Sequence, residues 1–350
     1  MPIASVQAIA NAVSTMATNR VWRIHPHPRP RESLSSWLIR ISAAKGTKHH
    51  SLIEQLVPGL QFWTRDGDLV APPELLEALA ERTGTPLARA KETALRTYEG
   101  VLDERISGDS QSFMVAPLGV RHRIRKAHGQ QFCPECLADP DPYLRLSWRL
   151  RLFPVCTRHG SVLRDACPTC DAPYQPHRTG FRSCAACGVD LSAIPRDQAD
   201  SRVIQLQYHN ESVLDGRAVT WPYLAGSHPI AFFGLQLALF RAITSPRWGD
   251  RLRMGLVQHL GPLEFDRRGD SNSVRALTSR EAYDSMRAVE LILRGWPFML
   301  VGICGEAQSW ATWIVPEDRK LQVPFVLRDA LDTYLRPGSA HSRICDGGER

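Results

Sequence analysis

The chain has 350 residues, of which 43% are hydrophobic and 23% charged, a composition typical of a folded globular protein with two or three domains. No apolar run approaches the roughly 20 residues of a membrane-spanning helix, and residues 1–20 lack the basic and apolar regions of a secretory signal. We therefore expect a cytoplasmic protein with no membrane partner, and Met16 is a candidate start of translation.

The first hundred residues are predicted to be helical. Residues 1–23 are expected to be flexible, and a helical domain is predicted over 24–102. Its lead-in, residues 25–30, alternates His or Arg with Pro, which indicates a polyproline-like linker rather than a histidine metal site. Glu32 and Ser33 then open an amphipathic helix that ends near Gly46.

A helix-turn-helix-like pattern follows within this domain. Pro72-Pro73 begins one helix, and Gly84 is predicted to end it in a left-handed conformation. Thr85 is predicted to cap a second helix over residues 85–97, with Pro86 at its first position. Such a helix either reads DNA or serves core packing and protein contact, and the pattern leaves both open.

The centre of the chain carries eight metal-ligand residues in four close pairs, each with a two-residue spacer. Four soft ligands make one closed tetrahedral zinc site, so four pairs predict two structural Zn²⁺ ions and leave no open position for a substrate. Pairing in chain order is favoured, although interleaved pairing, disulfides or unrelated buried cysteines are alternatives. The predicted ligands are Cys133, Cys136, Cys156 and His159 for the first ion, and Cys167, Cys170, Cys184 and Cys187 for the second.

Four segments complete the predicted organisation. A basic connector covers 103–128, a double zinc-binding module 129–195, a C-terminal helical domain 196–336 and a flexible tail 337–350. The fold class is therefore mainly α with small zinc-ribbon elements. Helices are predicted over 230–243, from an N-cap at Ser279 to Leu293, and over 320–336. Cys304 and Cys345 are outside the pairs, and Cys304 is predicted to be a core residue; this cysteine usage fits a reducing compartment.

The net charge of +7 is concentrated near the first four ligands. Residues 121–164 contain nine basic and three acidic side chains. Such a basic surface favours phosphate binding, and a solvated face or a dock for an acidic protein is the alternative. The candidate nucleic-acid or partner-binding residues are Arg121, Arg123, Arg125, Lys126, Arg145, Arg149 and Arg151.

These motifs together resemble those of a known family. The segments Gly129–Leu137, Asp141–Arg145, Trp148–Leu150 and Cys156–Gly160 are similar to the TniQ family of transposition proteins. The N-terminal Glu32-Ser-Leu-Ser-Ser-Trp-Leu-Ile-Arg40 also resembles that family, and the likeness extends over about 24–190. Residues 288–297 resemble the larger TnsD-like members less specifically.

The resemblance implies a non-catalytic bacterial protein that chooses the target of a transposon. Family members work with an AAA+ ATPase and a DDE-type transposase, and are associated with the nucleoid when on DNA. Some are adaptors for an RNA-guided Cascade or Cas effector with its guide RNA, whereas TnsD-like members bind a specific DNA site. By matching motif, the resemblance implies that the eight ligands bind zinc, and it implies no catalytic residue. It is also compatible with a homodimer, as in some relatives.

Three functions are therefore in competition: an adaptor between a target-recognition complex and the ATPase, a sequence-specific DNA-binding target selector, and an unrelated zinc-braced enzyme or regulator. The chain has neither a Gly-x-x-x-x-Gly-Lys-Ser/Thr phosphate loop nor a His-Glu-x-x-His motif. The adaptor is the preferred interpretation, since the chain is shorter than TnsD-like DNA readers.

Overall fold

The computed structural model describes residues 21–106, 114–121, 124–125, 127–245, 249–265, 277–309, 311–315 and 323–335. Within these residues the protein is mainly helical, as predicted. The chain forms two compact units. One contains Met1–Thr97 with Tyr143–Leu146, and the other contains Tyr98–Pro142 with Ser147–Arg350. The segments predicted to be flexible, 1–23 and 337–350, lie almost wholly outside the described residues.

The first unit is built on four helices and a 3-10 turn. Consecutive helices contact one another, α1 with α2, α2 with α3 and α3 with α4. Their apolar positions, including Leu34, Trp37, Leu52 and Leu79, are fully buried, which is the amphipathic pattern expected of helices that share one core. The elements are α1 (Leu34–Lys45), α2 (His49–Leu56), α3 (Pro73–Thr83), α4 (Leu87–Lys91) and the 3-10 turn Leu95–Tyr98.

Helix α1 begins and ends where its sequence predicts. The Ser33 hydroxyl accepts a hydrogen bond from the Ser36 amide, which satisfies one of the free N–H groups of the first turn. At the other end Gly46 adopts φ 63°, a left-handed conformation that costs glycine little.

The helix-turn-helix prediction is correct for its turn and wrong for its second helix. Gly84 ends α3 with φ 65°, as predicted. Thr85 does not cap α4, because its hydroxyl accepts a hydrogen bond from Thr83 and contacts the His27 ring. Helix α4 starts at Leu87 and has only five residues, so the predicted helix over 85–97 is interrupted by a turn before Leu95.

A buried ion pair explains the polar residues of the N-terminal motif. The Glu32 carboxylate accepts hydrogen bonds from the Arg40 guanidinium at 2.8 Å and from the Ser36 hydroxyl at 2.7 Å. Burial raises the pKa of the Glu32 carboxyl, and the Arg40 charge opposes that rise. The backbone of Leu144 closes this region, since its carbonyl accepts from the Ser33 amide and its amide donates to the Ser36 hydroxyl.

Removing the Glu32 charge is expected to destabilise this unit. The Glu32→Gln variant keeps the size of the side chain but leaves the buried Arg40 without its countercharge, at a cost of about 3 kcal/mol. Urea unfolding monitored by Trp fluorescence measures the change. The exposed pair Arg89–Glu92 supplies the control, because Glu92→Gln is expected to cost less than about 1 kcal/mol. Equal stability of the two variants would contradict a structural role for the buried pair.

The second unit contains the eight predicted ligands and the C-terminal helices. Two antiparallel hairpins, β1 (Val120–Arg121) with β2 (Ile124–Arg125) and β3 (Val155–Cys156) with β4 (Ser161–Val162), are its paired strands among the described residues. Its helices are α5 (Pro134–Ala138), α6 (Pro176–Thr179), α7 (Ser201–Leu214), α8 (Pro229–Thr244), α9 (Gly249–Leu260), α10 (Ser279–Arg294), α11 (Phe298–Glu306), α12 (Ala311–Ile314) and α13 (Phe325–Tyr334), with 3-10 turns at Leu146–Arg149 and Leu191–Ala193.

Helix α8 lies at the centre of the C-terminal helices. It contacts α9, α10, α12 and α13, and its Phe232, Phe233, Leu239 and Phe240 are buried. The predicted burial of residues 230–243 is therefore confirmed for most of the helix. The segment with the eight predicted ligands and these helices belong to one compact unit, whereas the sequence predicts separate domains for them.

The ends of the last helices differ slightly from the prediction. The N-cap of α10 is Thr278 rather than Ser279, because the Thr278 and Glu281 side chains bond reciprocally to each other's backbone amides in a capping box. The last helix occupies Phe325–Tyr334 of the predicted range 320–336. Cys304 is a core residue, as predicted, and burial raises the pKa of its thiol to about 12.

Within the described residues no single helix is long and apolar enough to cross a membrane. Helices α10 and α11 together have the length and apolar composition of a membrane span, but they are bent by 120° relative to each other.

Candidate metal centres

The first four ligands converge between a short helix and a hairpin. Cys133 is the N-cap of α5, and Cys136 lies one turn later in the same helix. Cys156 ends β3, and His159 lies in the turn that joins β3 to β4. The helix and the hairpin are held together by paired backbone bonds between Phe132 and Arg164, at 2.7 and 2.9 Å.

The spacing within this first cluster fits a tetrahedral ion. With zinc–sulfur bonds of about 2.3 Å and zinc–nitrogen bonds of about 2.0–2.1 Å, neighbouring ligand atoms of a tetrahedron lie about 3.6–3.8 Å apart. The sulfurs of Cys136 and Cys156 are 3.7 Å apart. His159 Nδ1 lies 3.4, 3.3 and 3.7 Å from the sulfurs of Cys133, Cys136 and Cys156. The residues present therefore fit a metal ion of this geometry.

The second cluster is formed by two short turns. The sulfurs of Cys167 and Cys187 are 3.6 Å apart, and those of Cys170 and Cys184 are 3.7 Å apart. Each turn is closed by a backbone bond from its first cysteine, from Cys167 to Ala172 and from Cys184 to Val189. Four thiolates at tetrahedral spacing are the donor set that soft metal ions such as zinc prefer.

The grouping is the one predicted in chain order. All ligand atoms within each cluster lie within 4.8 Å of one another. None of the eight cysteines in the described part of the chain forms a disulfide, and the sulfur–sulfur distances above are far longer than the ~2.0 Å of a disulfide bond. Hydrogen bonds among the three thiols lower the pKa of Cys133 and raise the pKa values of Cys136 and Cys156.

A further local signal for the ligand turns, not among the predictions from the sequence, is the residue that follows three of the four pairs. Gly160, Asp171 and Gly188 all have positive φ, at 62°, 52° and 76°. The amide of each donates to the carbonyl of the first ligand in its pair, four residues earlier. The left-handed residue turns the chain back so that both ligands point to one side, and Gly or Asp at this position adopts it readily.

The first cluster is also connected to the C-terminal helices. Thr157, between two ligands, donates from its hydroxyl to the buried Glu211 of α7 at 3.1 Å, and its carbonyl accepts from Tyr208. The carboxylate of Asp165 accepts from the amide and hydroxyl of Ser279, at the start of α10. These contacts are not visible in the sequence because they join residues 51 to 114 positions apart.

The structure corrects two of the predicted DNA-binding residues. Arg149 is fully buried, and its guanidinium donates to the carbonyls of Gly129 and Ala116, each at 3.1 Å. Arg151 is 5% exposed. Neither side chain is available to an external phosphate, because both are enclosed by the protein. The basic count of the segment therefore overstated its surface charge.

The structure describes only some of the other predicted binding residues. Arg145 is half-buried, and its backbone pairs with that of Glu32 in an isolated antiparallel β-bridge. Arg121 and Arg125 lie on β1 and β2, whereas Arg123 and Lys126 lie outside the described residues. Two further basic residues near the clusters form ion pairs, Arg158 with Asp139 and Arg196 with Glu135.

Comparison with known proteins agrees with this geometry. Residues 23–163 match the model of the TniQ family, a segment that begins before α1 and ends just after β4. It contains the buried ion pair of Glu32 and Arg40 and all four residues of the first cluster. No curated protein matches the chain. The matched segment contains both the helical motif and the metal-ligand motif, and residues 23–163 are therefore similar to the TniQ family of transposition proteins.

Proposed function

We propose that this protein is a non-catalytic target-selection factor that links a target-recognition complex to the AAA+ ATPase and the DDE-type transposase at target DNA. The TniQ match over residues 23–163 carries the proposal, because this family consists of transposition-associated adaptors. The recognition complex is proposed to be an RNA-guided effector of the Cascade or Cas type. DNA and a second copy of the chain are further proposed partners.

Two zinc ions are the proposed cofactors. Thiolates with at most one imidazole favour zinc over the harder cations, and four protein ligands leave no position for a substrate. The ions would therefore act as structural supports, and no step of catalysis is assigned to them. The first would hold α5 to the β3–β4 hairpin, and the second would hold together the turns at 167–170 and 184–187.

The adaptor role is favoured over direct reading of a DNA site. Helix α4 is only five residues long, whereas a recognition helix must present several side chains along a groove. The buried Arg149 and Arg151 do not contribute their charge to an exposed basic surface. Exposed basic residues near α4, including Lys91 and Arg96, support weak contact with phosphates of any sequence.

The two roles give different results in fluorescence anisotropy on a candidate target duplex and a scrambled duplex. An adaptor is expected to bind both duplexes equally, with an affinity that falls steeply as salt is raised, at a log–log slope of about −0.9 per phosphate contacted. It is also expected to retain the purified ATPase and effector in a pull-down. The double variant Lys91→Glu with Arg96→Glu should weaken binding to both duplexes alike, and Lys48→Glu, at the exposed residue just before α2, is the control.

A different outcome would favour the selector. A preference of about a thousandfold for the target duplex, lost in the Lys91 and Arg96 double variant, would make the protein a direct site reader of the TnsD type. Failure to retain either the ATPase or the effector, together with no DNA binding, would contradict both roles.

A further inference from the structure

The two metal clusters differ in their exposure to solvent. In the first cluster all three cysteines are buried, and Cys133 and Cys156 are fully so. In the second cluster Cys167 and Cys184 are buried, but Cys170 and Cys187 are exposed. Each exposed sulfur has a buried one within 3.7 Å, Cys184 for Cys170 and Cys167 for Cys187. An external oxidant therefore has access to one cluster only.

The clusters also differ in how they are joined to the rest of the unit. The first is surrounded by α5, the β3–β4 hairpin and the bonds to α7 and α10, so its ligands separate only if that packing opens. The turns of the second are closed by local backbone bonds. Beyond these turns, the Tyr174 ring packs on Phe132 at 4.5 Å, Arg182 donates to carbonyls of α5 and Asp139, and the 3-10 turn Leu191–Ala193 packs against α5.

We propose that the second cluster is a redox-sensitive metal site, which releases its ion when a peroxide oxidises its exposed cysteines, while the first cluster keeps its ion. The inference rests on the proposal that both clusters hold zinc, and it is independent of how the target is selected. Reactive cysteines are those that an oxidant can reach, and among the cysteine ligands only Cys170 and Cys187 are exposed.

The chemistry is balanced with hydrogen peroxide as the oxidant. One exposed thiolate attacks a peroxide oxygen, which breaks the O–O bond, gives a sulfenic acid and releases hydroxide. The adjacent buried thiolate then attacks that sulfur and displaces a second hydroxide, so that a disulfide forms. Two thiolates lose two electrons and the peroxide gains them. Only two of the four ligands remain, too few to hold the ion.

The expected structural result is a local loosening. Without its ion, the turns at 167–170 and 184–187 are no longer tied to each other, whereas Tyr174, Arg182 and the 3-10 turn Leu191–Ala193 keep their contacts with Phe132 and α5. Trypsin is then expected to cut after Arg178 and Arg182. The first cluster and the C-terminal helices should remain folded, because their mutual bonds involve Thr157, Asp165 and their helical partners rather than this segment.

The test uses the full chain loaded with zinc, with metal content measured before oxidation. Hydrogen peroxide is added, and zinc release is followed with a chromogenic chelator. One of the two equivalents of zinc is expected to be released at least about tenfold faster than the other. Peptide mapping is expected to find a disulfide among the second-cluster cysteines. Reductant with added zinc should reverse both the disulfide and the loss of the ion. The Cys304→Ala variant, which lacks a non-ligand thiol, should behave as the wild type.

Several outcomes would overturn the proposal. They are release of both equivalents at one rate, release of neither, a disulfide in the first cluster, or a second cluster that holds no metal at the outset. The double variant Cys170→Ser with Cys187→Ser should lack the fast phase and retain one equivalent. If that variant does not fold, differential alkylation of the wild-type protein decides which cysteines react first. These readouts involve neither DNA nor the ATPase, so they are separable from the adaptor experiment.

Discussion

The Cys136→Ser variant is expected to lose one of the two proposed metal ions and to destabilise the whole second unit. Zinc binding in small zinc domains contributes about 10–16 kcal/mol of apparent free energy at pH 7, and loss of one of four ligands removes several kcal/mol of it. The effect should spread to α7 and α10, because the first cluster positions Thr157 and Asp165, which bond to those helices. Metal analysis and thermal unfolding by circular dichroism measure both changes.

Chelation of the wild type should give a similar result, with loss of cooperative unfolding in the segment from about 130 to 190. The Cys304→Ala variant is the matched control, since it removes a buried cysteine that belongs to neither cluster, and it should keep both ions. If Cys136→Ser keeps two equivalents of metal and the wild-type melting temperature, the first cluster is not a structural metal site.

The second large effect is expected for Arg149→Glu. The substitution removes two charge-assisted hydrogen bonds and places a carboxylate against the carbonyl oxygens of Gly129 and Ala116. Loss of those bonds and an uncompensated buried charge are together expected to cost about 5 kcal/mol or more. The free energy of unfolding in urea measures the change. On the sequence alone, the same substitution is expected to leave the fold intact and weaken only DNA or partner binding.

The nearby Arg158→Glu variant separates the two interpretations. Arg158 is half exposed and pairs with Asp139, so its reversal should cost less than about 1 kcal/mol. A stable, folded Arg149→Glu protein with weakened DNA binding would restore the surface interpretation and contradict the burial argument. Loss of stability in Arg149→Glu alone would identify this arginine as a structural support of the segment between Gly129 and Leu150.

Features that depend on neighbours in the chain were predictable. The two-residue spacer within each pair of ligands brings both to one side of a turn, so Cys133 with Cys136 and Cys184 with Cys187 could be assigned without a structure. The cap at Ser33 and the left-handed glycines at 46 and 84 likewise depend on local backbone geometry. These predictions succeed because only a few adjacent residues decide the outcome.

Local preference was not sufficient where another hydrogen-bonding partner competes for the same group. Thr85 has the side chain of a good N-cap, but its hydroxyl is occupied by Thr83 and His27, so α4 begins later. Ser279 loses the cap position to Thr278, whose side chain has a reciprocal partner in Glu281. In both cases the spacing was favourable, and the hydrogen-bonding partner decided the boundary.

The sequence by itself determined the resemblance to the TniQ family, the helical class and the eight residues that form two candidate metal clusters, because ligand spacing and apolar periodicity are local. Only the tertiary structure decided that Arg149 and Arg151 are buried, that the first cluster is bonded to α7 and α10, and that Cys170 and Cys187 are the exposed ligands. The physical reason is that burial and long-range hydrogen bonds depend on which distant segments pack together, which the count and order of charged or cysteine residues do not specify.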